Sequence, residues 1–178
     1  MIFGLGKRAK AKDAALQGTR TVFQSNLLRV DLPPGFWENS YVMGVIYGMS
    51  MTIATLASGN GLGKQDLGAI TLEVLTEISG GNQFELGQRM AYLVQAKVPN
   101  FALASERAAR LAVMYNNKQV IGDDNDIRVA REQARANRDL YVSLGTPTDG
   151  INDVLAELND IWIQKPLAAA LGLSLYSR

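Results

Sequence analysis

Apolar side chains recur at spacings of three and four along almost the whole chain, the rhythm of helices that each bury one face. A first helix is predicted over 7–30, with Ala14, Ala15, Val22, Phe23, Leu27 and Val30 inward. Pro33-Pro34-Gly35 ends it, because two prolines and a glycine cannot continue a helix. A second helix follows over 37–58, with Val42, Val45, Ile46, Met49, Ile53 and Leu56 on one face. A third covers 64–79, with Leu67, Ile70, Val74 and Ile78 inward and Glu73 and Glu77 outward. Gly80-Gly81 stops it, and Asn82 with Glu85 has the spacing of a capping box that opens a fourth, running to Lys97. The fifth spans 101–117, with Leu103, Ala108, Leu111 and Tyr115 on one face. The sixth spans 127–144, with Ile127, Ala130, Ala134, Asn137, Tyr141 and Leu144 at helical spacing. After the breakers Gly145–Gly150, a seventh places Ile151, Val154, Leu155, Leu158, Ile161 and Trp162 on one side. Pro166 marks a new short segment, Leu167–Tyr176, readable as helix or as a short strand from Leu171, Leu173 and Leu175. The fold expected is all-α, a compact bundle of about seven helices.

The second helix is the most unusual. No charge falls between Glu38 and Lys64, and Gly44, Gly48 and Thr52 form a small-residue stripe at spacing four. Gly44 and Gly48 have the GxxxG spacing that lets transmembrane helices approach. A spanning helix, however, needs about 20 predominantly apolar residues, and glycine, serine and threonine dilute this one. It reads as the buried centre of the bundle, with Gly44, Gly48 and Thr52 as helix-packing positions.

Charge divides the chain. Lys7, Arg8, Lys10, Lys12 and Arg20 against Asp13 make the first twenty residues +4, which leaves −3 for the remainder of a chain whose net charge is +1. Residues 1–35 are therefore expected to form a basic arm and helix, and 36–178 the bundle proper. An apolar stripe on the arm must find a partner, so it should lie across the bundle or across a second subunit. Ile2 and Phe3 followed by Lys7, Arg8, Lys10 and Lys12 are candidates for contact with an anionic membrane surface. Because those charges follow the apolar start instead of preceding it, the segment does not read as a signal peptide.

With no cysteine and no histidine, disulfides, thiolate nucleophiles, imidazole acid–base catalysis and zinc sites built on Cys or His are all excluded. Gly59-Asn60-Gly61-Leu62-Gly63-Lys64 falls short of a phosphate loop. Ser58 stands where glycine is needed and Gln65 where Ser or Thr is needed, and a helix precedes it where a strand should. Asp123-Asp124-Asn125-Asp126 gathers oxygen ligands, but Arg128 and Ala134, or Val129 and Arg135 in the next register, stand where a calcium loop requires Gly and Glu. These acids read as a cap for the sixth helix. Glu73 and Glu77, one turn apart, read as a solvated pair, since a di-metal bundle adds histidine.

Arg128, Arg131, Arg135 and Arg138 share a helix face, with Glu132 and Asp139 close enough to pair. They are the candidate partner-binding residues, directed at an acidic protein. Nucleic acid is disfavoured, because no aromatic interleaves the row and the chain is near neutral. No catalytic residue, metal site or cofactor is expected. The function these features imply is a non-catalytic structural or protein-interaction protein, self-associating and cytoplasmic. The alternatives are a membrane-peripheral protein held by its basic N-terminus, or a helical small-ligand-binding protein with a pocket at Ser50, Thr52 and Thr55.

Overall fold

The computed structural model describes residues 3–27, 32–143 and 150–172, the side chains at 3–5, 24–27, 141 and 151 excepted. The helices are α1 (Phe3–Leu27), α2 (Ser40–Ser58), α3 (Lys64–Ser79), α4 (Gln83–Gln95), α5 (Pro99–Asn117), α6 (Asn125–Ser143), α7 (Gly150–Asn159) and α8 (Lys165–Ala170). A 3-10 turn, Phe36–Glu38, leads into α2. No strand occurs among the described residues. The expectations for Ile2, Val30, Leu144, Leu173, Leu175 and Tyr176, and for the side chains of Phe3, Leu27, Tyr141 and Ile151, lie outside what is described.

α2 is central, packed against α1, α3 and α5. Asn39 caps its start, its side-chain oxygen accepting from the Tyr41 and Val42 N–H groups, and Gly59 ends it in the left-handed conformation (φ 59°). It is long and apolar enough to cross a membrane by length and composition, and half of that stretch is buried among its neighbours. Val42, Met43, Val45, Ile46 and Met49 are enclosed.

The tightest contact joins α2 to α5. A Cβ on Gly44 would stand 2.5 Å from the Phe101 carbonyl oxygen, and one on Gly48 would stand 2.8 Å from the Ser105 carbonyl carbon. Backbone therefore meets backbone, and the two helices run in the same direction there. Thr52, the third member of the small-residue stripe, is only half-buried. The contact also fixes which way α5 faces. Phe101, Ala104, Ala108, Leu111, Ala112 and Met114 are buried, while Leu103 and Tyr115, expected inward, are 43% and 45% exposed.

α1 lies against α2 and α3, and Ala11, Ala15, Leu16 and Phe23 belong to the common core. Residues 1–35 and 36–178 thus meet through α1. The opposite charges of the two segments meet as well. Arg8 pairs with Glu73, Lys12 lies 3.6 Å from both Glu73 and Glu77, and Arg20 lies 3.2 Å from Glu77. Glu73 and Glu77 are therefore not a free solvated pair but the counter-charges of the basic helix.

Pro166 does not break the chain's path. Asn159, Gln164 and Lys165 all keep right-handed helical backbone angles, and a π-helical turn, Asp160–Gln164, joins α7 to α8 as one rod. Proline has no N–H to give the carbonyl four residues back, which here is that of Trp162. The π turn absorbs the steric conflict, with the Lys165 N–H reaching Asp160. The Trp162 carbonyl instead accepts from the Tyr41 hydroxyl at 2.6 Å. The segment after Pro166 is helix through Ala170.

Gly48→Ala should destabilise the fold by about 1–3 kcal/mol, since the added methyl overlaps backbone that no rotamer change can move. Gly68→Ala in α3, where a Cβ would meet nothing within 4 Å, should stabilise by about 0.5–1 kcal/mol. Urea denaturation of both variants beside the parent checks the contrast; equal and small effects would remove the close-packing claim.

Candidate functional site

Two features gather side chains from distant parts of the chain. The first is a groove of about 700 Å³ between α1 and α5, floored by α2. α1 contributes Ala14, Gly18, Thr21 and Val22, and α2 contributes Met49, Ile53, Leu56 and Ala57. The opposite wall is Ala112, Tyr115 and Asn116 of α5, with Asn159 at the end of α7. The groove explains why Leu56 is 39% exposed despite its place in the apolar rhythm. It faces the gap left between α1 and α5.

No carboxylate, lysine or arginine lines this groove; its polar groups are amides and hydroxyls. The side-chain oxygen of Asn159 is buried and accepts no hydrogen bond. Such an atom forfeits its hydration without compensation, at about 1–3 kcal/mol. Tyr115 donates weakly to the Leu155 carbonyl at 3.4 Å, and burial raises its pKa above the ordinary value. Its hydroxyl therefore stays protonated. A Cβ on Gly18 would stand 2.5 Å from Ile53 Cδ1, the end of a side chain that borders the open groove and can turn aside.

The residues expected to make a polar pocket do not line the groove. The Ser50 hydroxyl donates to Ile46 at 2.6 Å, and that of Thr55 donates to Met51 at 2.8 Å. Both hydroxyls are spent on their own helix, as serine and threonine do within helices.

The second feature is ionic and surrounds Trp162, which is 1% exposed. The Trp162 indole N–H donates to Asp126 Oδ2 at 2.8 Å, and Arg107 donates to the same oxygen at 2.6 Å. Arg110 lies over the Trp162 ring at 5.0 Å and pairs with Asp124 at 2.7 Å. Asp124 also caps α6, accepting from the Ile127 N–H at 3.2 Å, and Asp123 pairs with Arg131 at 2.7 Å. Each acid of 123–126 is thus matched to an arginine. The bond from Arg110 is the largest cause holding the Asp124 carboxyl below its ordinary range. Burial, partly opposed by Arg107, raises Tyr41. Arg107 and Arg110 stand a turn apart on α5, and nothing in the sequence links them to acids 14 to 19 residues later.

The arginine row is divided. Arg131 is held by Asp123, and Arg138 lies 3.7 Å from Asp153 of α7. Arg128 and Arg135 are exposed, with Arg128 donating to the Asn125 side chain at 3.1 Å. Of the membrane-surface candidates, Lys7 and Lys10 are exposed, whereas Arg8 and Lys12 are engaged on α3. The glycine-rich turn after α2 supplies the Gly59 cap and the residue before α3. No family model, no curated protein and no solved structure matches this chain.

Asp126→Ala should cost about 1–3 kcal/mol, because the Arg107 and Trp162 donors both lose their acceptor; urea denaturation reads it. Asp124 offers a pH test. A carboxyl whose folded pKa is lowered adds stability above its unfolded value, near 3.8, and loses it as pH falls through the folded one. The stability gap between the parent and Asp124→Asn should therefore be full at pH 7 and close below that range. A gap that persisted unchanged in acid would rule the ionised carboxylate out as its source.

Proposed function

We propose that this chain is a non-catalytic binding protein whose groove between α1 and α5 receives a small, largely apolar ligand with a polar group. The observation that carries the reading is an uncharged, mostly apolar groove of about 700 Å³ walled by α1, α2 and α5. Pockets of that size, mostly apolar with a few convergent polar groups, are the usual form of small-molecule sites. An apolar body would cover Ile53, Leu56 and Ala57, and a polar group of the ligand would meet the side chains of Tyr115 and Asn116.

The membrane-peripheral alternative is weakened by the use of Arg8 and Lys12 as partners of Glu73 and Glu77. Those charges anchor α1 to its own bundle. The interaction-protein reading gains from a different surface, on α6.

Native mass spectrometry of protein purified from its own source should show an added mass that disappears on denaturation. Nile red, a neutral apolar probe, should bind one-to-one, and Ala57→Trp should weaken that binding at least tenfold while leaving the melting temperature close to the parent's. Asn159→Leu should raise the melting temperature, since it removes an unpaired buried acceptor. No added mass, together with Nile red binding that Ala57→Trp leaves unchanged, would overturn the reading.

A further inference from the structure

The outer surface of α6 carries a charge pattern that its own bundle does not use. The inner surface is set by Ile127, Ala130 and Ala134, which are buried, and by Asn137, which donates to Glu157 of α7 at 2.7 Å. Arg131 and Arg138 sit at the edge of that face and pair with Asp123 and Asp153. Turned away from it are Arg128, Glu132, Arg135 and Asp139, all exposed. Successive spacings of four, three and four place these four in one row. Their signs alternate: plus, minus, plus, minus.

Alternating charges on a helix usually pair with each other along it. Among the described residues these four form no ion pair, with each other or otherwise. Beside the row runs a second one, Val129, Gln133, Ala136 and Leu140, at the same spacings. Val129 is 39% exposed and Leu140 57% exposed.

The charged row is self-complementary when the helix is reversed. Laid antiparallel on a second copy, with the two-fold axis crossing between Gln133 and Ala134, Arg128 meets Asp139 of that copy and Glu132 meets its Arg135. The row beside it, matched to itself, would need an axis one residue further along, between Ala134 and Arg135, so the charges alone set this register. All contacts occur twice, as a two-fold interface requires. An acidic partner would not find this match, because the exposed row has two acids for its two bases.

We infer that α6 is a self-recognition surface and that its partner is a second copy of this chain, bound antiparallel through this face. One helix pair buries less than the roughly 1,000 Å² that marks a stable interface. The dimer is therefore weak, with a dissociation constant in the micromolar range or above, and strongly dependent on salt.

Two charge variants and a cross-link test this. Arg128→Glu with Arg135→Glu makes the row wholly acidic, and Glu132→Lys with Asp139→Lys makes it wholly basic. In sedimentation velocity at low salt the parent should dimerise, each variant alone should be monomeric or at least tenfold weaker, and an equimolar mixture should dimerise at least as well as the parent. Circular dichroism of each variant verifies its helix content. The chain has no cysteine, so Gln133→Cys, next to the axis, should oxidise to a disulfide-linked dimer, whereas Asp139→Cys, far from it, should not. If the full-length parent is monomeric to millimolar concentration, or if both variants associate as the parent does, the inference is overturned. Efficient cross-linking at Asp139 instead of Gln133 overturns the antiparallel register. Nile red binding uses none of these residues, so its failure and the failure of dimerisation are separate results.

Discussion

The approach of α2 to α5 is the constraint on which the rest of the structure depends. Gly44 and Gly48 let α5 sit with its Phe101 and Ser105 backbone directly on α2. Small residues contribute little apolar area themselves. What they permit is a short separation, at which the flanking side chains Val45, Ile46, Ala104, Ala108 and Leu111 become fully enclosed. Dispersion falls off steeply with distance, so the gain is collective. One turn further on, α2 presents Met49, Ile53 and Leu56 where α5 presents Ala112 and Tyr115. Bulk has replaced glycine on α2, and Gly18 and Ala14 on α1 leave space opposite. The groove begins where the glycine contact ends.

Around this centre, ionic contacts decide how the outer helices sit. α1 brings its cations to Glu73 and Glu77 on α3, and the 123–126 loop brings its acids to Arg107, Arg110 and Arg131. Most of these pairs are partly exposed, and such pairs add little stability. Their value is in register: a basic helix has one acidic row to lie on. The Asp126–Trp162 bond is the exception, since it is linked to a fully buried indole. Together with the Tyr41 bond to the carbonyl freed by Pro166, it fastens the α7–α8 rod to the start of α2 and to α6.

Periodicity made the architecture legible. The uncharged run of α2 marked the central helix, and its glycine spacing marked a close contact, because both are local properties of one segment. Leu56, Leu103 and Tyr115 were misplaced by the same rhythm. Periodicity gives the phase of a face but not where a neighbouring helix stops covering it. Pro166 was read by the local rule that proline ends helices, which a π turn and a hydroxyl from a residue 125 positions earlier circumvent. The groove had no signal at all, since its walls come from α1, α2, α5 and α7. The Asp–Arg matches were equally hidden, because charge composition does not say which acid meets which base.

What the groove can do follows from the ionisable groups that this chain holds away from neutrality. A general acid or base works best with a pKa near the operating pH. Burial pushes Tyr41 and Tyr115 upward, and Arg110 pulls Asp124 downward; each moves further from neutral pH. Tyr41 is held on a carbonyl, and Asp124 on an arginine and a helix cap. Only Tyr115 of the three borders the groove, and as a firmly protonated phenol it can donate a hydrogen bond but not accept a proton. A wall of alkyl groups, three amide or hydroxyl side chains and a neutral phenol can select a molecule by shape and by one or two hydrogen bonds. That selectivity by shape and polarity is the physical basis for proposing the site as a place of binding.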